Sequence, residues 1–404
     1  MSRRGSYFAA RVLALVVLAV WAAGPVAAGD DWGADWSDDW SDDWGNGGDT
    51  GGPTGRTGSV STPLDGWSAS ISGYLEFTGG ALFPHHSATD DAVLAMPVAL
   101  RIRSQFTSGR RFTVTGEMEY RNDPDRLFLD YAYGDLAFHA VDVRLGKQPL
   151  AWGSAWAFNP TDRINPRNLS GLAGVEPPGV TAIAPAVALG MRGSIDGYAA
   201  LPNGSAAPVH EIPFGIRGRF YPGLWDIGAG MVRGVHQENT TPGSAVVRDF
   251  LIAEVAGSLG AVNLYGEASL EISSRDHHHE VLSMIDGAAG FRVDLGDHAT
   301  LQVEYHYRGS DAALRDTADL QDRNYLLAVV TGATRQDIVR VTAAGLANLH
   351  DGSMVVLPEV TWIPVDDLEL TAGAVVTTAT GERNFTRDLP AGATRMFVKA
   401  TWFF

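Results

Sequence analysis

Residues 98–106 read VALRIRSQF and residues 112–120 read FTVTGEMEY, and in both stretches apolar and polar side chains alternate. A period of two predicts a β-strand whose two faces meet different surroundings. The same alternation recurs at 262–271, 301–308 and 368–377. Heptads and 3.6-residue apolar stripes are absent from residue 66 onward, so this part of the chain is predicted to contain almost no helix.

Eighteen stretches carry a strand pattern, with 16 as the alternative count. They are 67–80, 93–106, 110–122, 126–138, 140–149, 181–190, 193–201, 211–221, 223–235, 247–257, 260–271, 281–295, 297–308, 324–333, 337–348, 353–363, 366–378 and 393–404. With an even number of strands, the start of the first strand and the end of the last strand lie on the same side of the predicted sheet.

The connections between these strands alternate in length. Long ones are 81–92, 150–180, 202–210, 236–246, 272–280, 309–323 and 379–392, and the others are tight turns such as Ser108-Gly109 and Pro222-Gly223. Long loops on one rim and short turns on the other are typical of bacterial outer-membrane barrels. The predicted fold class is therefore all-β: a transmembrane, antiparallel, up-and-down β-barrel over residues 67–404.

The last strand has one apolar, aromatic-rich face and ends the chain. That face carries Met396, Val398, Ala400, Trp402 and Phe404. Here the chain resembles bacterial outer-membrane proteins, and the resemblance covers the N-terminal leader and about 66–404. It implies that the barrel-assembly machinery is a partner and that it recognises the strand ending at Phe404. The alternative, a secreted β-sandwich or propeller, needs a repeat with turn motifs, and none is found.

The N-terminal region predicts export followed by a flexible tail. Three arginines precede an apolar run at 12–23 and small residues at 26–28, which is the pattern of a signal peptide over residues 1–28. The run is too short to span a bilayer. Residues 29–66 repeat Asp-Trp and then become rich in Gly and Thr, so a disordered acidic periplasmic segment is expected. It is either a solvated tail or a handle for a periplasmic partner.

Composition excludes several other classes of protein. The net charge is −17, which argues against nucleic-acid binding, and there are no cysteines for disulfides, zinc ribbons or an N-terminal lipid anchor. The expected location is the outer membrane, with lipid and lipopolysaccharide as surroundings.

Strand parity assigns balanced charges to the interior of the barrel. The basic set is Arg101, Arg103, Arg144, Arg217, Arg219, Arg292, Arg340, Arg395 and Lys399. The acidic set is Glu117, Glu119, Asp142, Glu254, Glu267, Glu271, Glu304, Glu359 and Glu369. Arg101 and Arg103 fall on a strand next to Glu117 and Glu119, where ladder pairing is expected. These charges either hold the wall in shape or select solutes, as rings of charged side chains do in pores.

The connection 150–180 follows LGKQ and contains WGSAWAFNPTDRINPRN. This is similar to a pattern in porin-like barrels around the alginate-export group, matched at Gly146, Gln148, Trp152, Gly153, Asn159, Pro160, Asp162, Asn165 and Pro166, with Lys147 where that pattern has Arg. The resemblance implies a channel or exporter and no particular cargo. A connection this long is usually functional or disordered. We expect it to fold into the lumen and constrict it, presenting Asp162, Arg163 and Arg167; the alternative is a loop packed on the rim.

Three functions are compatible with these patterns. The first is a porin-like channel for small polar or charged solutes. The second is a polysaccharide exporter or partner-dependent conduit, and the third is an outer-membrane enzyme. No nucleophile motif, phosphate loop or convincing Ser/His/Asp set is found, so an enzyme is not expected. Residues 276–280, DHHHE, offer metal-ligand types, but adjacent residues on one loop rarely converge, so neither a metal site nor a cofactor is predicted.

Overall fold

The computed structural model describes residues 62–64, 67–84, 93–95, 98–108, 112–122, 125–164, 179–201, 211–237, 245–272, 284–309, 324–350, 352–378 and 393–404. The expected signal peptide, most of the acidic segment and the histidine run at 277–279 lie outside these residues. Within the described residues there is no helix with the length and apolar character needed to cross a membrane.

The described residues form twenty strands and one short 3-10 helix, Gly190–Arg192. The strands are β1 (Thr62–Leu64), β2 (Trp67–Pro84), β3 (Val93–Ala95), β4 (Val98–Ser108), β5 (Phe112–Asn122), β6 (Asp125–Phe138), β7 (Val141–Gln148), β8 (Val180–Ala188), β9 (Gly193–Ala200), β10 (Phe214–Phe220), β11 (Trp225–Gln237), β12 (Ala245–Leu259), β13 (Val262–Glu271), β14 (Ile285–Asp294), β15 (Ala299–Arg308), β16 (Asn324–Ala333), β17 (Val339–Asn348), β18 (Met354–Val365), β19 (Leu368–Thr378) and β20 (Ala393–Phe403).

Eighteen of these strands close into a ring of antiparallel neighbours. From β4 to β20 each strand pairs with the next along the chain, and β2 pairs with β4 on one side and β20 on the other. Within this ring every strand of the described residues has a neighbour on both sides, which is how a barrel avoids the free edges of an open sheet. The predicted all-β, antiparallel, 18-stranded barrel is confirmed.

The two short strands, β1 and β3, are additions to this ring. Both pair with β2, which continues past the ends of its two ring neighbours. The stretch 93–106 was predicted as one strand and is two, β3 and β4. Pro97 lies between them in the sequence and has no N–H to donate to the ladder. β1 lies within the stretch 29–66 that the sequence assigns to the acidic segment.

Burial alternates along the strands and separates an inner from an outer face. On β12, Phe250, Ile252 and Glu254 are buried, whereas Leu251 and Val255 between and beside them are exposed. Inward positions on the other strands are identified by the same parity. Most of the outer face is apolar, as the exposure of Ile71, Ile216 and Val398 illustrates.

The two rims of the barrel differ in their connections. The rim that carries the turns after β4, β6, β8, β10, β12, β14, β16 and β18 is here called the short-turn rim, and the opposite one the long-connection rim. The turn after β10 uses Gly223 with φ +67°, and the turn after β14 uses Gly296 with φ +78°. Both angles favour glycine because a side chain would be crowded there.

Candidate functional site

The chain leaves the wall part-way up the barrel after β7. Lys147, near the end of β7, pairs with Ala132, whereas β6 continues to Asp125 on the long-connection side of that point. Gln148 is buried and its Nε2 donates to the carbonyl oxygen of Ala182 at 2.8 Å. Gly146, with φ +118°, permits this exit, because a Cβ there would collide with the Ala132 carbonyl. Residues 149–164, here called the inward segment, then pack against inward-facing side chains of the wall.

Glu304, inward on β15, holds the middle of the inward segment through its backbone. Its Oε2 accepts from the N–H of Trp156 at 2.7 Å, and its Oε1 accepts from the N–H of Phe158 at 2.8 Å. The N–H of Ala157 lies 3.2 and 3.3 Å from the two oxygens. Tyr265 donates its hydroxyl to Oε2 at 2.9 Å, and the side chain of Glu304 is fully buried. A carboxylate only accepts hydrogen bonds, so it matches a run of N–H donors.

Glu267, two strands away on β13, does the same for the start of the segment. Its Oε2 accepts from the N–H of Ser154 at 2.6 Å and of Ala155 at 3.2 Å, and its Oε1 accepts from the N–H of Thr161 at 3.5 Å. Gly153 has φ +114°, and a Cβ there would collide with the Glu267 carboxylate. Glycine at 153 therefore lets the backbone reach this side chain.

Arg163 ties the far end of the described segment to β13 and β14. Its guanidinium pairs with Asp286 and donates to the hydroxyl of Ser269, and it lies 4.4 Å from the ring centroid of Phe250. Asp162 is buried, and its Oδ1 accepts from the N–H of Ile164 at 3.2 Å. Arg167 lies outside the described residues.

Apolar contacts complete the attachment of the inward segment on two sides. Trp152 packs with Tyr198, their rings 4.7 Å apart, in a cluster that reaches Val232 and Phe250. Phe158 stacks on His306 at 4.3 Å and belongs to a second cluster that includes Leu327, Leu346 and Leu357. These contacts and the hydrogen bonds above join the segment to the arc of wall from β8 to β18.

The predicted ladder on β4 and β5 lies on another part of the wall. Arg101 is directly opposite Glu119, and Arg103 is directly opposite Glu117. An ion pair of 3.2 Å joins Arg101 to Glu117 diagonally, and Arg101 also lies 5.3 Å from the ring centroid of Tyr74. The side chain of Glu119 lies outside what the structure describes.

Four of the other arginines that the sequence assigns to the lumen lie close to carboxylates, on their own strand, on an adjacent strand or, for Glu254, two strands away. Arg144 contacts Asp135 at 2.6 Å, and Arg217 contacts Asp196 at 3.0 Å and Glu254 at 2.7 Å. Arg219 pairs with Asp226, and Arg292 lies 4.0 Å from Asp294 near the short-turn rim.

Several residues that hold the inward segment in place were not predicted from the sequence as site residues. Asp286, Ser269 and Tyr265 were not singled out, although strand parity would have placed each of them inward. Their partners lie more than 100 positions away in the chain or, for Tyr265, 39 positions away. No local pattern identifies a backbone N–H of the inward segment as the partner of a given wall residue.

No three His, Asp or Glu side chains of the described part of the chain are grouped as a metal site would require.

Of three comparisons with known proteins, one gives matches, the comparison with solved structures. No family model matches the sequence, and no curated protein matches it. Among solved structures, the chain is similar to a mutant of the Rhodopseudomonas blastica porin, with a TM-score of 0.49, 12% identity, and coverage of 83% of this chain and 100% of that one. It is also similar to a loop-deletion mutant of OmpT, an outer membrane protein of Vibrio cholerae, with a TM-score of 0.44, 10% identity, and coverage of 84% and 100%.

Proposed function

We propose that the protein is a channel of the bacterial outer membrane through which small polar or charged solutes diffuse. One observation carries this proposal: a closed ring of 18 strands has an apolar outer face and a charged inner face. Only a closed barrel or a helix satisfies its backbone groups within a bilayer. A ring of this size encloses an aqueous space unless chain segments fill it.

The outer face supports placement in a membrane. Phe138 and Phe220 end their strands at the short-turn rim, Trp402 lies one position before the end of β20, and all three are exposed on the outer face. Aromatic residues at the rim of an apolar band are typical of outer-membrane barrels. The outward pair Arg233 and Asp249 lies toward the long-connection rim, and its bonds of 2.7 and 3.0 Å limit the cost of its charges.

The inward segment supports a narrowed lumen. It is held on the arc from β8 to β18, while Arg101 and Lys399 lie on β4 and β20, across the closing strand β2. We infer that solutes pass along this second arc, between its charged side chains and the inward segment. Opposite charges facing one path give a field that orients polar solutes and biases ion flow.

An extended polymer is less well accommodated by this geometry. A polysaccharide exporter would require the connection 150–180 to stay outside the lumen, whereas its residues 154–162 are largely buried against the inner wall. We therefore propose small solutes as the cargo and a passive, non-enzymatic activity.

Single-channel conductance in a planar bilayer tests the proposal. The refolded protein is compared with a variant in which residues 150–178 are replaced by a short Gly-Ser linker, so that β7 and β8 stay connected. Discrete steps that become larger in the variant are expected, because removing the inward segment widens the path. An Ala253→Leu variant, changed at an exposed position on the outer face of β12, serves as a control and should keep the original step.

Absence of conductance in both the parent and the linker variant would refute a simple channel. Equal steps in both would refute the narrowing by the inward segment while leaving the channel in place.

A further inference from the structure

A recess of about 450 Å³ lies in the inner wall beside the start of the inward segment. Its walls come from β5 to β10, and Leu150 and Trp152 close one side of it. The volume is in the range of small-molecule binding sites. It lies toward the short-turn rim, because Thr113, Asp142 and Arg219, which line it, are close to the ends of their strands on that side.

The recess exists because β8 offers only small side chains to the interior. Ala182 is buried and Ile183 is exposed, so the inward positions of β8 are 182, 184, 186 and 188, and all four are alanine. The flanking strands carry larger, charged residues at the same level. Asp142 on β7 and Asp196 on β9 both pair with Ala186 on β8, and Asp196 in turn pairs with Arg217 on β10. Two strand spacings, about 9.5 Å, therefore separate the charged sides of a shallow alanine floor.

Two arginines of the recess have hydrogen-bonding capacity to spare. Arg144 uses its Nε on Asp135, and its two terminal nitrogens have no partner among the described residues. Arg219 uses Nε and Nη2 on Asp226, which leaves Nη1 without a partner among the described residues. Each guanidinium is steadied by an aromatic ring: Tyr133 lies 4.5 Å from Arg144, and Tyr221 lies 5.6 Å from Arg219. Guanidinium N–H groups that are already held in position favour binding of a carboxylate.

The recess also contains a carboxylate that forms no ion pair within the described part of the chain. Asp142 is exposed to the lumen, on the same face of β7 as Arg144, and has no ion pair within the described part of the chain. The charged residues lining the recess are three arginines and three aspartates, so neither a simple anion nor a simple cation is favoured overall. A molecule that carries a positive and a negative charge a few ångströms apart can contact Arg144 with one end and Asp142 with the other.

We propose that this recess binds small zwitterions, molecules of amino-acid or dipeptide size that carry one ammonium and one carboxylate group. The carboxylate is held by the terminal nitrogens of Arg144, the ammonium by Asp142, and the body of the molecule lies on Ala184 and Ala186. The proposal deepens the channel function above and rests on it for the route by which the solute arrives. Such a site, open to the lumen beside the proposed path, would favour zwitterions over singly charged solutes of the same size.

Three probes of nearly equal size test the charge requirement. They are glycylglycine, N-propionylglycine, in which a methyl group replaces the ammonium and which is only an anion, and glycylglycinamide, which is only a cation. Saturation-transfer NMR on the refolded barrel in detergent micelles measures binding without any need for conduction. Glycylglycine is expected to saturate, and each singly charged probe to bind about tenfold more weakly, because one charged hydrogen-bonded contact is lost.

Variants test the location. Ala186→Leu fills the floor without changing charge and is expected to abolish saturation, while Ala253→Leu, on the outer face of β12, should not. Arg144→Gln and Asp142→Asn should each weaken glycylglycine binding about tenfold, whereas Arg340→Gln, an inward arginine outside the recess, should not. Heat-modifiable gel migration shows which variants are folded, and each charge variant reports on the site even where Ala186→Leu does not fold.

Equal binding of the three probes, absence of saturation, or full binding by folded Ala186→Leu would each overturn the proposal. Conductance of the same preparation separates the two claims. A barrel that conducts salt but does not bind glycylglycine refutes the recess alone. A barrel that binds it without conducting refutes the channel and leaves the recess in place.

Discussion

Glu304 shows how one side chain of the wall can fix a stretch of irregular backbone. Three consecutive N–H groups, at 156, 157 and 158, point at its two oxygens. Irregular backbone cannot satisfy its own donors, and a buried unpaired N–H is costly. Tyr265, itself accepting from Gln302 at 2.9 Å, holds the carboxylate in place from behind. The inward segment is thus fixed by acceptors that belong to the barrel wall.

Replacing Glu304 by glutamine should loosen the inward segment. The change turns one acceptor oxygen into an NH₂ donor that faces other donors, so the free energy of unfolding should fall by about 1–3 kcal/mol. Denaturant unfolding of the refolded barrel measures this, and single-channel recordings should show larger current noise. Glu359→Gln on β18, whose side chain contacts none of these N–H groups, is the matched control. Unchanged stability and noise in Glu304→Gln would contradict the assigned role.

The direction of these side chains could be predicted from the sequence, but their partners could not. Alternation on β13 and β15 places Glu267 and Glu304 inward with no other information. Their hydrogen-bond partners are backbone groups 106 to 148 positions away, which every residue type except proline possesses. Arg163 and Asp162 were expected to present charge to the lumen; the structure pairs Arg163 with Asp286 and buries Asp162.

At the scale of elements, the last strand closes the ring against β2. Beyond the end of β20, Phe404 donates its N–H to the carbonyl of Gly73 at 3.0 Å and accepts from the N–H of Gly73 at 2.9 Å. Its ring lies over Gly73, since a Cβ there would be 2.7 Å from the ring carbon Cζ and would also collide with the Arg101 carbonyl. Glycine at 73 therefore gives the terminal aromatic ring its place on the outer face.

Alanine at position 73 should impair this closure. The added methyl group must displace the Phe404 ring or the β4 backbone, and overpacking of this kind costs about 1–3 kcal/mol. The fraction of protein that folds on dilution into detergent, read from heat-modifiable gel migration, is expected to decrease. Gly218→Ala on β10 is the control, because a Cβ there meets open space. Equal folding of the two variants would contradict the closure argument.

Strand positions were predictable because each strand separates two different environments. All eighteen predicted stretches correspond to strands of the ring, and the stretch 324–333 coincides with β16. The differences arise where alternation does not define the structure. β1 has only three residues, too few to show a period, and the bulge between Glu117 and Met118 on the β5–β6 pair inserts one residue without a signal in composition.

At the scale of the whole molecule, the interior has two unlike sides. The arc from β8 to β18 is covered by the inward segment and its two apolar clusters. The arc from β19 through β2 to β5 carries charged side chains, with Lys399 3.5 Å from Glu76 and Arg101 3.2 Å from Glu117. A net charge of −17 for the chain therefore says little about the proposed path, where Arg101 and Lys399 each lie beside a carboxylate.

Neutralising the basic side of this path should make the channel more cation-selective. In the triple variant Arg101→Gln, Arg103→Gln, Lys399→Gln, the carboxylates of Glu76 and Glu117 lose their counter-charges, so the local potential becomes negative. The zero-current potential across a bilayer in a KCl gradient is expected to move toward the equilibrium potential of K⁺. The control is the double variant Arg233→Gln, Asp249→Asn, which removes a charge pair from the outer face and should leave the selectivity unchanged. A triple variant with the parent's selectivity would mean that ions pass elsewhere, because charges within a Debye length of about 8 Å of the path cannot be removed without an effect on the ions in it.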